Sequence, residues 1–214
     1  MELALAGAGT ASVVHALAAD ALGVPIVAVA SRSAARAAER AAQVGARAVA
    51  YESLPAGADA VLVCTPPDRH IIDIDRALDA DVAVLVERPL ASRLVDADAI
   101  VARGARVLLG ENLAHSPIIA AARRHLATIG AIGFIEVRLL APRPTWGSYL
   151  ERERGGGVLF DLGSSALALS MLLAGEYPMS IEATVAASDD LDVDDRAEVR
   201  LSFPSGANAR VEVN

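Results

Sequence analysis

The first fifteen residues restrict the fold more than any other stretch. Leu3-Ala4-Leu5-Ala6 is an apolar run of strand length, Gly7-Ala8-Gly9 is a tight turn, and a helical pattern follows from Thr10 to His15 and beyond. A strand that passes straight into a helix through glycines is the opening of a βαβ unit. Gly7 permits the turn, and Gly9 lets backbone N–H groups come close to a pyrophosphate. The helix that starts at Thr10 and Ala11 points its positive end at the same charge. Ser12 fills the third small position, where Gly or Ala is usual.

The same alternation continues through the first half of the chain. Ile26–Ala30, Ala48–Ala50, Ala60–Cys64, Val82–Val86 and Val107–Leu109 read as strands, and helices are expected over about 33–44, 68–79 and 94–103. Continuous apolar strands with helices between them indicate a parallel sheet covered on both faces. The reading is an α/β chain whose N-terminal doubly wound Rossmann domain spans residues 1–112. After Asn112 the pattern changes to a helix over 117–129, a strand over 133–141, a Pro/Gly/Arg loop to Gly157 and a helix over 158–174. Strands at 180–188, 196–203 and 207–213 then alternate in polarity. They indicate an α+β domain over 113–214 with a largely antiparallel sheet. Asp189–Asp195 reads as an acidic, mobile loop. The last strand is expected to lie at an open sheet edge, so that either the protein is a short variant that pairs there with a second copy or the chain has been truncated.

Composition narrows the function. The formal net charge of −8 leaves no basic stripe for phosphate neutralisation, which argues against nucleic acid as a partner. Cys64 is the single cysteine, so neither an internal disulfide nor a multi-cysteine zinc site is open to the chain, and no metal site is expected. Its place in an apolar strand predicts an inert buried thiol. No signal-peptide pattern opens the chain and no uninterrupted apolar run reaches spanning length, so a cytoplasmic protein without a membrane partner is expected. All 19 basic residues are arginine, which excludes any chemistry that needs a lysine.

Three further constellations carry chemistry. Ser31-Arg32 ends the second strand, about 20 residues past the glycine turn, where NAD sites usually hold an acid. A hydroxyl and a guanidinium suit a 2′-phosphate instead, which favours NADP over NAD. Thr65-Pro66-Pro67 with His70, and Glu87-Arg88-Pro89-Leu90, follow the next strands. They lie at carboxyl ends, the side on which open α/β sheets bind ligands, and the first could shape a nicotinamide pocket.

In this order the segments resemble the Gfo/Idh/MocA family of NAD(P)-dependent oxidoreductases. Gly7-x-Gly9-x-x-Ser12-x-x-His15 is similar to its cofactor loop, Thr65-Pro66-Pro67-x-x-His70 to its second turn, and Glu87-Arg88-Pro89 to its Glu-Lys-Pro. Glu111-Asn112 with Pro117 resembles the crossover into the second domain, followed by Ile129-Gly130-x-Ile132-Gly133. Gly155-Gly156-Gly157-x-Leu159-x-Asp161-x-Gly163 completes the set. The resemblance implies hydride transfer at a hydroxyl carbon of a sugar, cyclitol or polyol. The cofactor would lie on Gly7, Gly9, Thr10, Ala11, Ser31, Arg32, Thr65, Pro66, Pro67, His70, Glu87, Arg88 and Asn112. A small-molecule substrate would sit near Arg88, Trp146 and Asp161.

The family typically relies on the motif lysine, on the aspartate and on a histidine four residues after it. Only Asp161 matches; Arg88 stands for the lysine and Ser165 for the histidine. Arginine stays protonated and can stabilise an alkoxide but cannot take its proton, and serine is no base unless one adjoins it. Asp161, His70 or His115 could take over that task. The chain is also shorter than the family's second domain requires. An alternative reading is therefore a nucleotide-binding relative without dehydrogenase turnover, serving as a sensor or partner subunit.

Overall fold

A computed structural model describes residues 1–104, 106–144 and 147–214. The chain divides into two compact units, Met1–Gly110 and Glu111–Asn214. The division falls two residues before the one expected from sequence. Glu111 accepts hydrogen bonds from Leu113 N and Ser165 Oγ, so its side chain is fastened within the second unit.

The first unit is a six-stranded parallel sheet: β1 (Leu3–Ala6), β2 (Ile26–Ala30), β3 (Arg47–Ala48), β4 (Ala60–Val63), β5 (Ala83–Glu87) and β6 (Val107–Gly110). The spatial order is β3-β2-β1-β4-β5-β6. This is the doubly wound order, and its switch point lies between β1 and β4. Helices α1 (Thr10–Ala21), α2 (Ala34–Val44), α3 (His70–Asp79) and α4 (Leu94–Ala102) connect the strands. Alternate strand residues feed two cores. Ala4, Ala6, Ala28 and Ala30 pack with Tyr51, Ile74 and Ile100 on one side, while Leu3, Leu5, Ile26, Val29 and Leu62 pack on the other.

Local chemistry sets the ends of these helices. Ser33 Oγ accepts from Arg36 N at the start of α2, and Gly45 closes that helix in the left-handed conformation (φ 69°). The third helix starts at His70 rather than Asp68 because Pro67–Arg69 first form a 3₁₀ turn.

The second unit holds β7 (Phe134–Leu139), β8 (Ser180–Ala186), β9 (Arg196–Ser202) and β10 (Asn208–Val213), with α5 (Pro117–Ile129) and α6 (Ser164–Ala174). The sheet order is β7-β10-β9-β8, antiparallel except that β10 runs parallel to β7. One face is apolar: Ile135, Val137, Ala197, Val199, Leu201, Ala209, Val211 and Val213 are buried with Val158 and Ala166. The other carries ion pairs such as Arg210–Glu198 (2.6 Å) and Arg138–Glu212 (3.0 Å).

Two sequence expectations are corrected here. The last strand is not an edge: β10 lies between β7 and β9, because the chain crosses over and inserts its final strand beside β7. The open edges are β7 and β8, and β8 is exposed along its whole length. The acidic segment is tethered rather than loose. Asp194 O accepts from Val158 N, its carboxylate accepts from Leu159 N at 2.7 Å, and Asp195 accepts from Ser188. Val193 beside them is 1% exposed. A Cβ at Gly157 (φ +102°) would strike the Asp194 carboxylate, so that glycine is required where this cap meets the helix. Apart from these, Arg152–Ala174 is a helical run long and apolar enough on composition to span a membrane, with a mean hydropathy of 1.7 in its most apolar window, although Asp161 interrupts it. Within the unit its inward residues Val158, Ala166 and Ser170 are buried instead.

Asp194→Ala should remove a helix cap, with a cost of about 1–2 kcal/mol, and Asp194→Asn should recover much of it. Thermal unfolding of the two variants against the parent chain measures both.

Candidate active site

The turn after β1 is fixed by contact. Gly7 has φ +108°, and a Cβ there would lie 2.7 Å from the Cys64 carbonyl oxygen and 2.8 Å from its carbon. Gly7 N donates to Ala30 O and Cys64 N donates to Ala6 O, so the glycine loop is pinned between β2 and the end of β4 at the switch point. Gly9 differs. Its φ is −83°, and a Cβ there would meet nothing within 4 Å. It caps α1, and no side chain caps that helix, whose first residues are Thr10 and Ala11. Open space beside Gly9 and N-terminal amides without a capping side chain are what a pyrophosphate needs, so these residues fit a dinucleotide.

The off-pattern Ser12 has a defined role. It is wholly buried, donates from Oγ to Gly9 O (2.6 Å) and accepts from Arg40 Nε (3.1 Å). A small hydroxyl thus holds the loop shut on α1 and ties it to α2. Ser31 is half-buried and accepts from Ser33 N, and Arg32 is exposed beyond the end of β2.

The two other turns of the carboxyl edge are also held by side chains. Thr65 Oγ1 and Tyr51 Oη both donate to Asp73 Oδ2 at 2.6 Å. Arg69 and Arg76 stand over the Tyr51 ring, 5.6 and 5.2 Å from its centroid. Burial and the neighbouring Asp73 carboxylate push the Tyr51 phenol up, so it stays a donor. Pro66 and Pro67 are half-buried and lead into α3. His70, expected in the nicotinamide pocket, is wholly buried. Its ring nitrogens lie 2.7 Å from Thr65 O and 3.1 Å from Leu90 O, so it braces one turn against the other.

Glu87 ends β5. Its Oε1 lies 2.8 Å from His15 Nε2 on α1, and its Oε2 accepts from Arg88 N at 3.2 Å. Burial works to raise its pKa, but His15 and Arg88 outweigh this and hold the carboxyl below its ordinary value. Arg88 follows, half-buried, before a cis bond to Pro89. Burial first, and then the Glu87 carboxylate, push the Cys64 thiol far up.

In the second unit Asp161 is half-buried within a π-helical turn, Leu159–Gly163, that precedes α6. Such turns recur at functional sites because one extra residue re-aims a side chain. Tyr149 lies in its field: burial, and then Asp161, raise that phenol's pKa. Ser165 is 3% exposed and donates to Glu111 Oε2 at 2.8 Å. Its hydroxyl donates to a carboxylate, the kind of adjoining base a serine needs to take part in proton transfer. Asn112 and His115 are exposed on a 3₁₀ turn, Asn112–His115, before α5. Trp146 lies outside the described residues.

Within the first unit the structure thus brings Gly7, Gly9, Thr10, Thr65, Glu87 and Arg88 to one sheet edge. Asp161, Ser165 and Asn112 belong to the second. Sequence reading named Glu111 only within the crossover motif and missed its bond to Ser165; it also missed Asp73 and the pairing of His15 with Glu87. His15 and Glu87 stand in separate motifs 72 positions apart, and only the strand order brings them together. Among the described residues, no group of three His, Cys, Asp or Glu side chains is placed to hold a metal ion.

Comparison with known proteins agrees with this layout. Residues 1–107 match a family model described as an oxidoreductase family with an NAD-binding Rossmann fold, and residues 119–214 match the GFO/IDH/MocA C-terminal domain. Inositol 2-dehydrogenase of Rhizobium meliloti is 30% identical over 98% of this chain and 67% of its own length. UDP-N-acetylglucosamine 3-dehydrogenase of Acidithiobacillus ferrooxidans is 30% identical over 82% of this chain and 54% of its own. The chain therefore spans about half to two thirds of these curated relatives. Among solved structures, GenD2 from gentamicin A biosynthesis in complex with NAD has a TM-score of 0.91 at 26% identity, covering 100% of this chain and 65% of that one. An oxidoreductase from Thermotoga maritima has a TM-score of 0.87 at 25% identity, covering 100% and 72%.

Two outcomes follow. Gly7→Ala should destabilise the first unit by about 2 kcal/mol or more, because a strained φ is joined to a backbone overlap. Gly9→Ala should leave the melting temperature unchanged and weaken dinucleotide binding, as thermal shift and fluorescence titration would show. For Glu87, a folded pKa below the ordinary 4.5 stabilises the fold above that value, and this stabilisation is lost as pH falls through the lower folded value. Glu87→Gln should therefore flatten the acid limb of a pH–stability curve below about pH 4.5.

Proposed function

Since the chain belongs to the Gfo/Idh/MocA oxidoreductase family and its first unit is that family's NAD-binding Rossmann domain, we propose that it transfers hydride to or from a sugar-, cyclitol- or polyol-like substrate. The observation that carries this reading is the glycine loop. Gly7 backs directly onto Cys64, while Gly9 has open space beside it and the first turn of α1 has no capping side chain.

In this reading the amides at Gly9, Thr10 and Ala11 hold the pyrophosphate. Ser31 and Arg32 take the adenosine ribose, and their hydroxyl and guanidinium favour a 2′-phosphate and hence NADP. The Thr65-Pro66-Pro67 turn, Glu87 and Arg88 would line the nicotinamide end, and the family resemblance adds Asn112 of the second unit to the cofactor residues. The cofactor, when bound, accepts or supplies the hydride. Arg88 would stabilise alkoxide charge electrostatically but cannot remove a proton. Asp161, in its half-buried π turn, is the residue assigned to general base chemistry, as a carboxylate that can accept a proton where serine alone cannot. The sugar and cyclitol classes are supported by the dehydrogenases that the chain resembles. Assembly through the second unit's sheet and a cytoplasmic location belong to the same proposal.

The test is a fluorescence titration with NADPH and NADH, followed by a turnover screen with polyols and keto sugars. Tighter binding of NADPH is expected, and tighter NADH binding would overturn the cofactor preference. Binding without turnover would favour the sensor or partner-subunit alternative. Arg88→Lys combined with Ser165→His should raise any turnover, because it restores a titratable pair where the family has one. No gain would count against a family-type centre built on Asp161.

A further inference from the structure

The turn that carries Arg88 is gripped from two sides, and one grip comes from the cofactor loop's own helix. His15 Nε2 lies 2.8 Å from Glu87 Oε1, with the two side chains only 18% and 25% exposed. Glu87 accepts from Arg88 N through its other oxygen, at 3.2 Å. At the far end of the same turn, Leu90 O lies 3.1 Å from His70 Nδ1, and His70 Nε2 reaches Thr65 O at 2.7 Å. A chain of contacts thus runs from α1 through Glu87 to the Arg88 peptide, and from Leu90 through His70 to the β4 turn.

We infer that His15 is a positioning residue, which locks the Glu87–Leu90 turn to the helix whose N-terminus receives the pyrophosphate. The inference rests on the dinucleotide reading above. A carboxylate only accepts, so His15 Nε2–H is the donor. One Glu87 oxygen is then held by the helix while the other orients the amide of Arg88. Buried charge-assisted bonds of this kind are stronger than neutral ones, so losing the donor frees the carboxylate to rotate and releases the amide. The phosphate cradle itself, formed by Gly7, Gly9 and the Ser12–Gly9 bond, does not use His15. The two ends of the cofactor should therefore respond differently to its loss.

Three proteins decide it: the parent chain, His15→Leu, and His15→Gln, whose side-chain amide presents a donor in nearly the same place. Amide hydrogen exchange at Arg88, read by NMR without any ligand, should be about tenfold faster in His15→Leu and near parental in His15→Gln. The Kd for NADH should rise about tenfold in His15→Leu, while that for ADP-ribose stays within about twofold. His15→Gln should restore the NADH value.

Equal weakening of NADH and ADP-ribose would overturn the inference, because His15 would then act on the phosphate loop. Unchanged exchange and unchanged NADH binding would overturn it as well. If the parent chain binds neither nucleotide, the dinucleotide reading falls separately, and the exchange rate at Arg88 alone decides whether the clasp operates.

Discussion

The close approach of Gly7 to the Cys64 carbonyl is the contact on which the candidate site depends. Because no side chain fits there, the turn after β1 can back onto the end of β4, and the switch point of the sheet stays narrow. Everything at the carboxyl edge is then placed relative to that junction. Ser12 holds the loop on α1, Asp73 holds Thr65, and His15 and His70 hold the turn that follows β5. Each is an at least partly buried hydrogen bond, where a single bond is worth more than at the surface.

Binding and chemistry separate in this chain. The first unit provides a cradle with space and donors for a pyrophosphate. The second provides one half-buried carboxylate, Asp161, on a π turn. At the position where the family places a histidine, Ser165 is turned inward to Glu111, and Arg88 replaces the usual lysine. Those substitutions remove groups able to exchange protons near neutral pH while keeping charge at one position and a hydrogen bond at the other. Family membership therefore bears more directly on the nucleotide than on turnover.

The second unit shows how a local pattern can be read correctly and still be placed wrongly. Alternating residues in Arg196–Ser202 and Asn208–Val213 mark strands with one wet face, and the structure has them. Which strand becomes an edge is a matter of connection, and the crossover to β7 puts the last strand inside the sheet. The acidic segment is a similar case. Its charge suggested a solvated loop, yet Asp194 serves as the cap at the start of the helical run, because Gly157 leaves room for its carboxylate.

What the sequence determined by itself is what short-range physics enforces: the period of buried strands, the glycine turn, proline and serine at helix starts, and the order of motifs that marks the family. The place of Gly7, Gly9, Thr65, Glu87 and Arg88 at the carboxyl ends of strands was legible, because each closely follows an apolar run. Only the tertiary structure decided the partners of long-range side chains. His70 looked like a pocket residue, but its ring is enclosed between two turns 20 and 5 residues away. The pairing of His15 with Glu87, and of Ser165 with Glu111, joins residues 72 and 54 positions apart. Those distances carry no periodicity for a sequence to reveal, since a hydrogen bond depends on where the folded backbone brings two atoms.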